Sequence, residues 1–161
     1  MPTLAKLIPH LWFEKDADEA ARLYVSLFPD SRIDSERVMA ADTPSGPEGA
    51  VKIVEFTLMG QPLVAFTAGP FDKFNHAISF LVACEDQDEI DRYWEALGKD
   101  GKHEQCGWLK DKYGLHWQIA PRVLNEMMKD KDHARARRVT EAMLKMVKLD
   151  IAALKKAYDG K

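Results

Sequence analysis

The sequence predicts an α+β chain of two tandem β-α-β-β-β modules followed by a C-terminal helical extension. Three observations carry this reading. A shift of 70 residues lays Ile8–Leu27 over Ile78–Leu97, and seven of the twenty positions coincide: Ile8/Ile78, Leu11/Leu81, Asp16/Asp86, Asp18/Asp88, Glu19/Glu89, Arg22/Arg92 and Leu27/Leu97. Unrelated chains of ordinary composition agree at about one position in twenty. In both copies a short apolar run gives way, at the same place, to apolar residues at helical spacing. Past Pro121 the composition changes to helix formers.

The elements follow in chain order. Leu7 to Phe13 is a short apolar run, and Lys15-Asp16-Ala17-Asp18-Glu19 then offers an N-cap with acidic residues in the first turn of a helix. Ala20, Leu23, Tyr24 and Leu27 give that helix its apolar stripe, and Pro29-Asp30-Ser31 ends it. Strand-like segments follow at Arg32–Ala40, Val51–Met59 and Gln61–Ala68, the last two joined by a turn at Met59-Gly60-Gln61. Between the first and second of these, residues 42–49 form a Pro/Gly/Ser-rich stretch without periodicity, either a surface connection or a lid over a pocket.

The second module repeats the pattern. Ala77–Cys84 reads as a strand, Asp86 as a cap, and Ile90, Tyr93, Trp94 and Leu97 as a helical stripe ending at Gly98. Glu104–Lys110 and Leu115–Ala120 read as strands joined by Lys112-Tyr113-Gly114. In the extension Val139, Met143 and Met146 share a face, and Asp150 caps a last helix bearing Ile151, Leu154 and Tyr158. The Met stripe reads as core or dimer contact, and Arg135, Arg137 and Arg138 as a solvated helix face rather than an anion site. The expected organisation is one domain, residues 1–161, with module 1 at about 1–72, module 2 at about 73–121 and helices at about 122–161.

Composition bounds the function. A chain of 161 residues, 30% charged and formally −3 at pH 7, is the length of one globular domain, which excludes a collagen, a disordered tail and a multidomain machine. Such a chain buries roughly 70% of its unfolded surface and needs no disulfide or structural metal to hold a core. No apolar run reaches the length of a membrane span, and MPTLAKLIPH lacks the pattern of a secretion signal, so a cytoplasmic location is expected. Cys84 and Cys106, not a Cys-x-x-Cys pair, read as half-buried free thiols. The near-neutral charge argues against nucleic acid as a partner.

The wording of several blocks resembles the PhnB-like family, often labelled 3-demethylubiquinone-9 3-methyltransferase domain, within the vicinal oxygen chelate superfamily of glyoxalase I, bleomycin- and fosfomycin-resistance proteins and extradiol dioxygenases. These blocks are Pro9–Phe13 (PHLWF), Asp18–Phe28 (DEAARLYVSLF), Cys84–Trp94 (CEDQDEIDRYW), Gln105–Asp111 (QCGWLKD), Tyr113–Pro121 (YGLHWQIAP) and Met143–Leu154 (MLKMVKLDIAAL). The resemblance implies a glyoxalase/bleomycin-resistance fold, in which the modules pair into a curved, mostly antiparallel sheet around a cleft, usually within a homodimer. It does not fix a function, because this fold hosts many chemistries.

The resemblance also implies where a metal would sit: on the first and last strand of each module. Carried over position by position, His10 matches, Phe80 and Val64 offer hydrocarbon, and Gln118 offers a neutral amide, a poor ligand for a divalent ion. No firmly held metal and no other cofactor is therefore expected. Were the strands to slide against this offset, His10, His76 and Gln118 would form a weak alternative set, although His76, four residues before Phe80, belongs at the strand mouth. His10 is otherwise a hydrogen-bonded cleft imidazole or a proton-transfer group. The methyltransferase label finds no support in the residues: there is no G-x-G-x-x-G cluster, no phosphate loop of the G-x-x-x-x-G-K-[ST] type and no G-x-S-x-G elbow.

Period-2 alternation sets His10 with Trp12, Phe80 with Val82, and His116 with Gln118. If these faces are concave, the cleft is apolar and aromatic, with Glu55, Phe66 and Trp108 joining it. The predicted ligand-binding residues are thus His10, Trp12, Glu55, Phe66, Phe80, Trp108, His116 and Gln118. Such a pocket suits a small, partly aromatic or planar molecule held by stacking and one or two hydrogen bonds. The expected function is a binding protein that sequesters or carries such a molecule. The alternative is an enzyme of the vicinal oxygen chelate type, an isomerase, lyase or small-molecule transferase, with His10 and Glu55 as candidate proton-transfer groups and with or without a metal. Glu55 is equally an ordinary exposed strand residue, and the aromatics equally a packed cluster or a dimer contact.

Overall fold

A computed structural model describes residues 5–161; the first four residues of the N-terminal stretch MPTLAKLIPH lie outside them. The chain divides into two compact units, residues 1–73 and 74–161. In the first, β1 (His10–Phe13), α1 (Ala17–Leu27), β2 (Arg32–Val38), β3 (Lys52–Leu58) and β4 (Gln61–Thr67) form a sheet of order β1-β4-β3-β2. In the second, β5 (Phe80–Cys84), α2 (Gln87–Gly98), β6 (Lys102–His103), β7 (Trp108–Lys110) and β8 (His116–Pro121) form a sheet of order β5-β8-β7-β6. The first strand of each sheet runs parallel to its neighbour and the other pairs are antiparallel, so both sheets are mostly antiparallel and each unit is β-α-β-β-β.

Each helix covers one face of its own sheet. Ala17, Ala20, Ala21 and Tyr24 are the buried positions of α1, and Ile90, Tyr93, Trp94 and Leu97 those of α2. Complete burial of a large apolar side chain contributes roughly 1.5–3 kcal/mol, so these stripes dominate the local energetics. The two helix starts differ. Asp86 is extended and its carboxylate accepts from the Glu89 amide, whereas Asp16 is left-handed (φ 61°) and makes no side-chain cap. The expected cap at Asp16 is replaced by Thr67 of β4, whose Oγ1 accepts from the Ala17 amide at 3.0 Å.

That difference corrects the register of the repeat. Three residues, Glu14 to Asp16, join β1 to α1, and two, Glu85 and Asp86, join β5 to α2. The helices therefore repeat at 70 residues and the strands at 71. Leu11 and Phe13 face α1 as Val82 and Cys84 face α2, so the counterpart of His10 is Leu81, not Phe80.

A second correction concerns Glu104–Lys110, expected as one strand. The chain makes the short β6, then a 3₁₀ turn at Gln105–Gly107, then β7. Cys106 (φ 59°) and Gly107 (φ 79°) are both left-handed, and their amides donate to Met146 O and Val147 O at 2.8 Å. The segment hydrogen-bonds to the C-terminal extension because its backbone turns away from the sheet. A Cβ at Gly107 would lie 2.7 Å from Ile119 O and 3.0 Å from Leu149 Cδ1.

The extension forms α3 (Arg122–Met128), α4 (His133–Met143) and α5 (Ile151–Asp159). Leu124, Met127, Val139, Leu149 and Leu154 form its core, with Met143, Met146 and Tyr158 packed against it. Asp150 caps α5, accepting from the Ala153 amide. Two residues of the basic cluster close the other end of that helix: Arg138 donates to Ala157 O and Tyr158 O, and Arg135 lies 4.6 Å over the Tyr158 ring, while Arg137 pairs with Glu141 one turn along α4. The 42–49 segment is tied down by its own hydrogen bonds, among them the Thr43–Gly46 bridge and Glu48 N to Asp42 Oδ1. Among the described residues no helix is long and apolar enough to cross a membrane.

Candidate functional site

In the second unit, alternation along β8 turns Trp117 and Ile119 toward α2 and leaves His116, Gln118 and Ala120 on the open face. Register adds Leu81 and Ala83 from β5 and Trp108 from β7 to that face. The extension forms the opposite wall. Between them lies a cavity of about 840 Å³, lined by Leu81, Trp108 and Gln118 from the sheet and by Leu124, Met128 and Met143 from the helices. Gln118 Nε2 donates to Ser79 Oγ at 2.9 Å, which fixes its amide.

On the other side of Trp108 is a more open cavity of about 620 Å³, lined by His76, Lys102, Glu104 and Cys106 among others. Trp108 and Cys106 line both cavities. His76, in the turn before β5, places Nε2 2.7 Å from Glu104 Oε2. The His116 ring lies 3.9 Å from that of His76, and its Nδ1 is 3.9 Å from Glu104 Oε2.

Placement explains the electrostatics. His116 is 3% exposed, and its Nδ1 is buried without a hydrogen-bond partner. Burial first, and then the charge of His76, hold its imidazole below the ordinary value against the pull of Glu104. At neutral pH it is therefore an uncharged ring, and the 3.9 Å approach to Glu104 is not an ion pair. For Glu104 burial acts upward, but the His76 hydrogen bond and the charges of His76, His116 and Lys102 outweigh it, so the carboxylate stays ionised. An orphaned buried polar atom costs about 1–3 kcal/mol, which makes Nδ1 the conspicuous feature of this cluster.

The predicted site residues fall in both units. In the first, the His10 ring lies 5.1 Å from that of Phe66, and the Trp12 indole donates to Gly69 O at 3.0 Å. Glu55 accepts from Ser35 Oγ and Arg37 Nη2, the cross-strand pairing of an ordinary sheet carboxylate, and lines a small cavity of about 210 Å³. In the second, Trp108, His116 and Gln118 share the open face. Phe80 does not: it packs edge-on to Trp117 at 5.5 Å, on the face of Val82. His76 lies at the mouth of β5, where its spacing from Phe80 sets it. Glu104 reads in the sequence only as a strand residue; the antiparallel pairing of Lys110 with His116, folding the chain back, is the signal that brings it near β8.

The four positions where the resemblance expects metal ligands are now fixed by pairing: His10 opposite Val64, and Leu81 opposite Gln118. One imidazole, one amide and two hydrocarbons do not fit a divalent ion. Of the weak alternative of His10, His76 and Gln118, the first lies in one unit and the other two in the second, where the Gln118 amide is engaged with Ser79.

A family model described as 3-demethylubiquinone-9 3-methyltransferase matches residues 5–120, leaving the helical extension outside. Among solved structures, a 3-demethylubiquinone-9 3-methyltransferase, PhnB protein, from Bacillus cereus is 35% identical, with a TM-score of 0.61 over 71% of this chain and 98% of that one. Protein PA1353 from Pseudomonas aeruginosa is 17% identical, with a TM-score of 0.55 over 73% and 98% of the two chains. The fosfomycin resistance protein FosX from Mesorhizobium loti is 13% identical, with a TM-score of 0.50 over 73% and 90%. A search of the curated proteins finds no match. The two latter likenesses speak for the fold, and the first, with the family model, for descent: the chain belongs to the PhnB-like 3-demethylubiquinone-9 3-methyltransferase family.

Proposed function

We propose that this protein binds a small, partly aromatic or planar molecule in the 840 Å³ cavity between the open face of the second sheet and the C-terminal helices. The observation that carries the reading is the composition of that cavity. Its volume lies within the roughly 300–1,000 Å³ of small-molecule sites, its walls are mainly apolar, and Trp108 and the fixed Gln118 amide offer one stacking surface and one directed polar group. Met128 and Met143 provide walls that adapt to an irregular ligand. The methyltransferase description of the family brings no cofactor loop with it, since the glycines are scattered through turns. The functional unit is a homodimer, which size-exclusion chromatography with light scattering tests directly.

The experiment is fluorescence titration with the planar probe 1-anilinonaphthalene-8-sulfonate on the folded protein. One saturable site per chain, lost in Trp108→Ala and Met143→Glu, supports the reading. Absence of saturable binding, or binding indifferent to both substitutions, overturns it. A second reading, an enzyme, is favoured by one observation: the buried His116 Nδ1, unbonded and 3.9 Å from Glu104 Oε2, is an available proton acceptor.

A further inference from the structure

We propose that His76, Glu104 and His116 form a binding site for one divalent transition-metal ion of the zinc type. Each residue offers a ligand atom, and the three atoms lie within 4.8 Å of one another. Bonds of about 2.0–2.2 Å to a tetrahedral ion set neighbouring ligand atoms roughly 3.3–3.6 Å apart. The 3.9 Å between His116 Nδ1 and Glu104 Oε2 closes, and the 2.7 Å between His76 Nε2 and Glu104 Oε2 opens, by less than about 1 Å each. The exposed His76 is free to make that adjustment, while His116 is held in β8 and Glu104 by its amide bonded to Trp108 O.

The independent pointer to a ligand is His116 Nδ1. A simple His76–Glu104 ion pair accounts for two of the three side chains and leaves a buried imidazole nitrogen facing the carboxylate with nothing to bond. A metal ion accounts for all three. Two imidazoles and one carboxylate select zinc, cobalt or nickel over magnesium or calcium, which prefer all-oxygen shells. Three protein ligands leave a fourth position, and two of them, His76 and Glu104, line the 620 Å³ cavity beside Trp108. These donors come from the turn before β5, the segment before the 3₁₀ turn and the first residue of β8, so the site lies within one unit and uses none of the four strand positions considered above. It stands whether or not the neighbouring apolar cavity takes a small molecule.

The test uses untagged full-length protein stripped with a chelator and titrated with cobalt(II), followed by zinc(II) in a calorimeter. The expected result is one equivalent per chain with a tetrahedral cobalt spectrum. His76→Ala and Glu104→Gln each weaken binding by more than the roughly 10–100-fold that loss of a merely supporting residue costs. His103→Ala, removing an imidazole stacked on Trp94 outside the cluster, leaves affinity unchanged. Because His116 is buried and its substitution can misfold the hairpin, the exposed His76 is the decisive position. No heat and no spectrum at about 100 μM metal, a concentration that fills a site with a Kd of about 10 μM or tighter, overturns the proposal. So does unchanged affinity in both His76→Ala and Glu104→Gln with circular dichroism showing the fold intact.

Discussion

Replacing Asp111 disarms the hairpin that presents His116. Its side chain is 2% exposed, with Oδ1 accepting from the amides of Tyr113 and Leu115 at 2.9 and 3.0 Å and Oδ2 from the Trp117 indole at 2.9 Å. Each hydrogen bond to a charged group contributes about 1.5–3 kcal/mol, but bonds that share one carboxylate do not add in full. Asp111→Ala orphans these donors and is expected to cost about 3–5 kcal/mol. For a chain of this length about 2–4 °C accompanies each kcal/mol, so the melting temperature falls by about 6–20 °C. Asp111→Asn keeps an oxygen for the two backbone amides and turns an NH₂ toward the indole, costing about 1–3 kcal/mol. Urea unfolding followed by far-UV circular dichroism and tryptophan fluorescence measures both. A loss below about 1 kcal/mol for the alanine variant, or asparagine as damaging as alanine, refutes the idea that this carboxylate organises the turn.

The two thiols differ in the same structure. Cys84 is fully buried and desolvation, with Glu89 and Asp86 nearby, pushes it up to about 12, so Cys106 is the one alkylated in native protein at pH 8 and Cys84 reacts only on unfolding, as mass spectrometry of labelled peptides checks. A folded value above the unfolded 9.0 means stability present below pH 9 and lost as the pH rises toward about 12; the alkaline loss in urea titrations should be smaller in Cys84→Ala than in the parent. Gly107→Ala forces a Cβ to 2.7 Å from Ile119 O at φ 79° and is expected to destabilise by more than about 2 kcal/mol, whereas Gly114→Ala, also left-handed but with open space around it, costs only about 1 kcal/mol. Asp150→Ala removes the α5 cap and costs about 1 kcal/mol in the same unfolding assay.

The order of elements was legible in the sequence because it rests on local periodicity. Ile90, Tyr93, Trp94 and Leu97 repeat at helical spacing and are all buried on α2, and Asp86 and Asp150 cap as their positions imply. What misled was also local. Asp16 and Asp86 coincide in the repeat, yet a left-handed Asp16 lengthens one connection by a residue, and a one-residue slip exchanges strand faces, putting Leu81 where Phe80 was expected. The strand expected at 104–110 failed because Cys106 and Gly107 bond to Met146 and Val147, forty residues on, which no window of sequence reveals.

The sequence by itself determined the tandem β-α-β-β-β plan, the caps of α2 and α5 and the family, because each follows from side-chain type and short-range spacing. Tertiary structure alone decided which side chains meet. His76, Glu104 and His116 are separated by 28 and 12 residues along the chain and come within a few ångströms only through the turn before β5, the 3₁₀ turn and the β7–β8 hairpin. The apolar cavity beside them likewise exists because the helical extension folds back over the open sheet face. Periodicity is set by neighbours in sequence, whereas a binding constellation is set by long-range packing, which fixes each donor's direction and how much water remains around it.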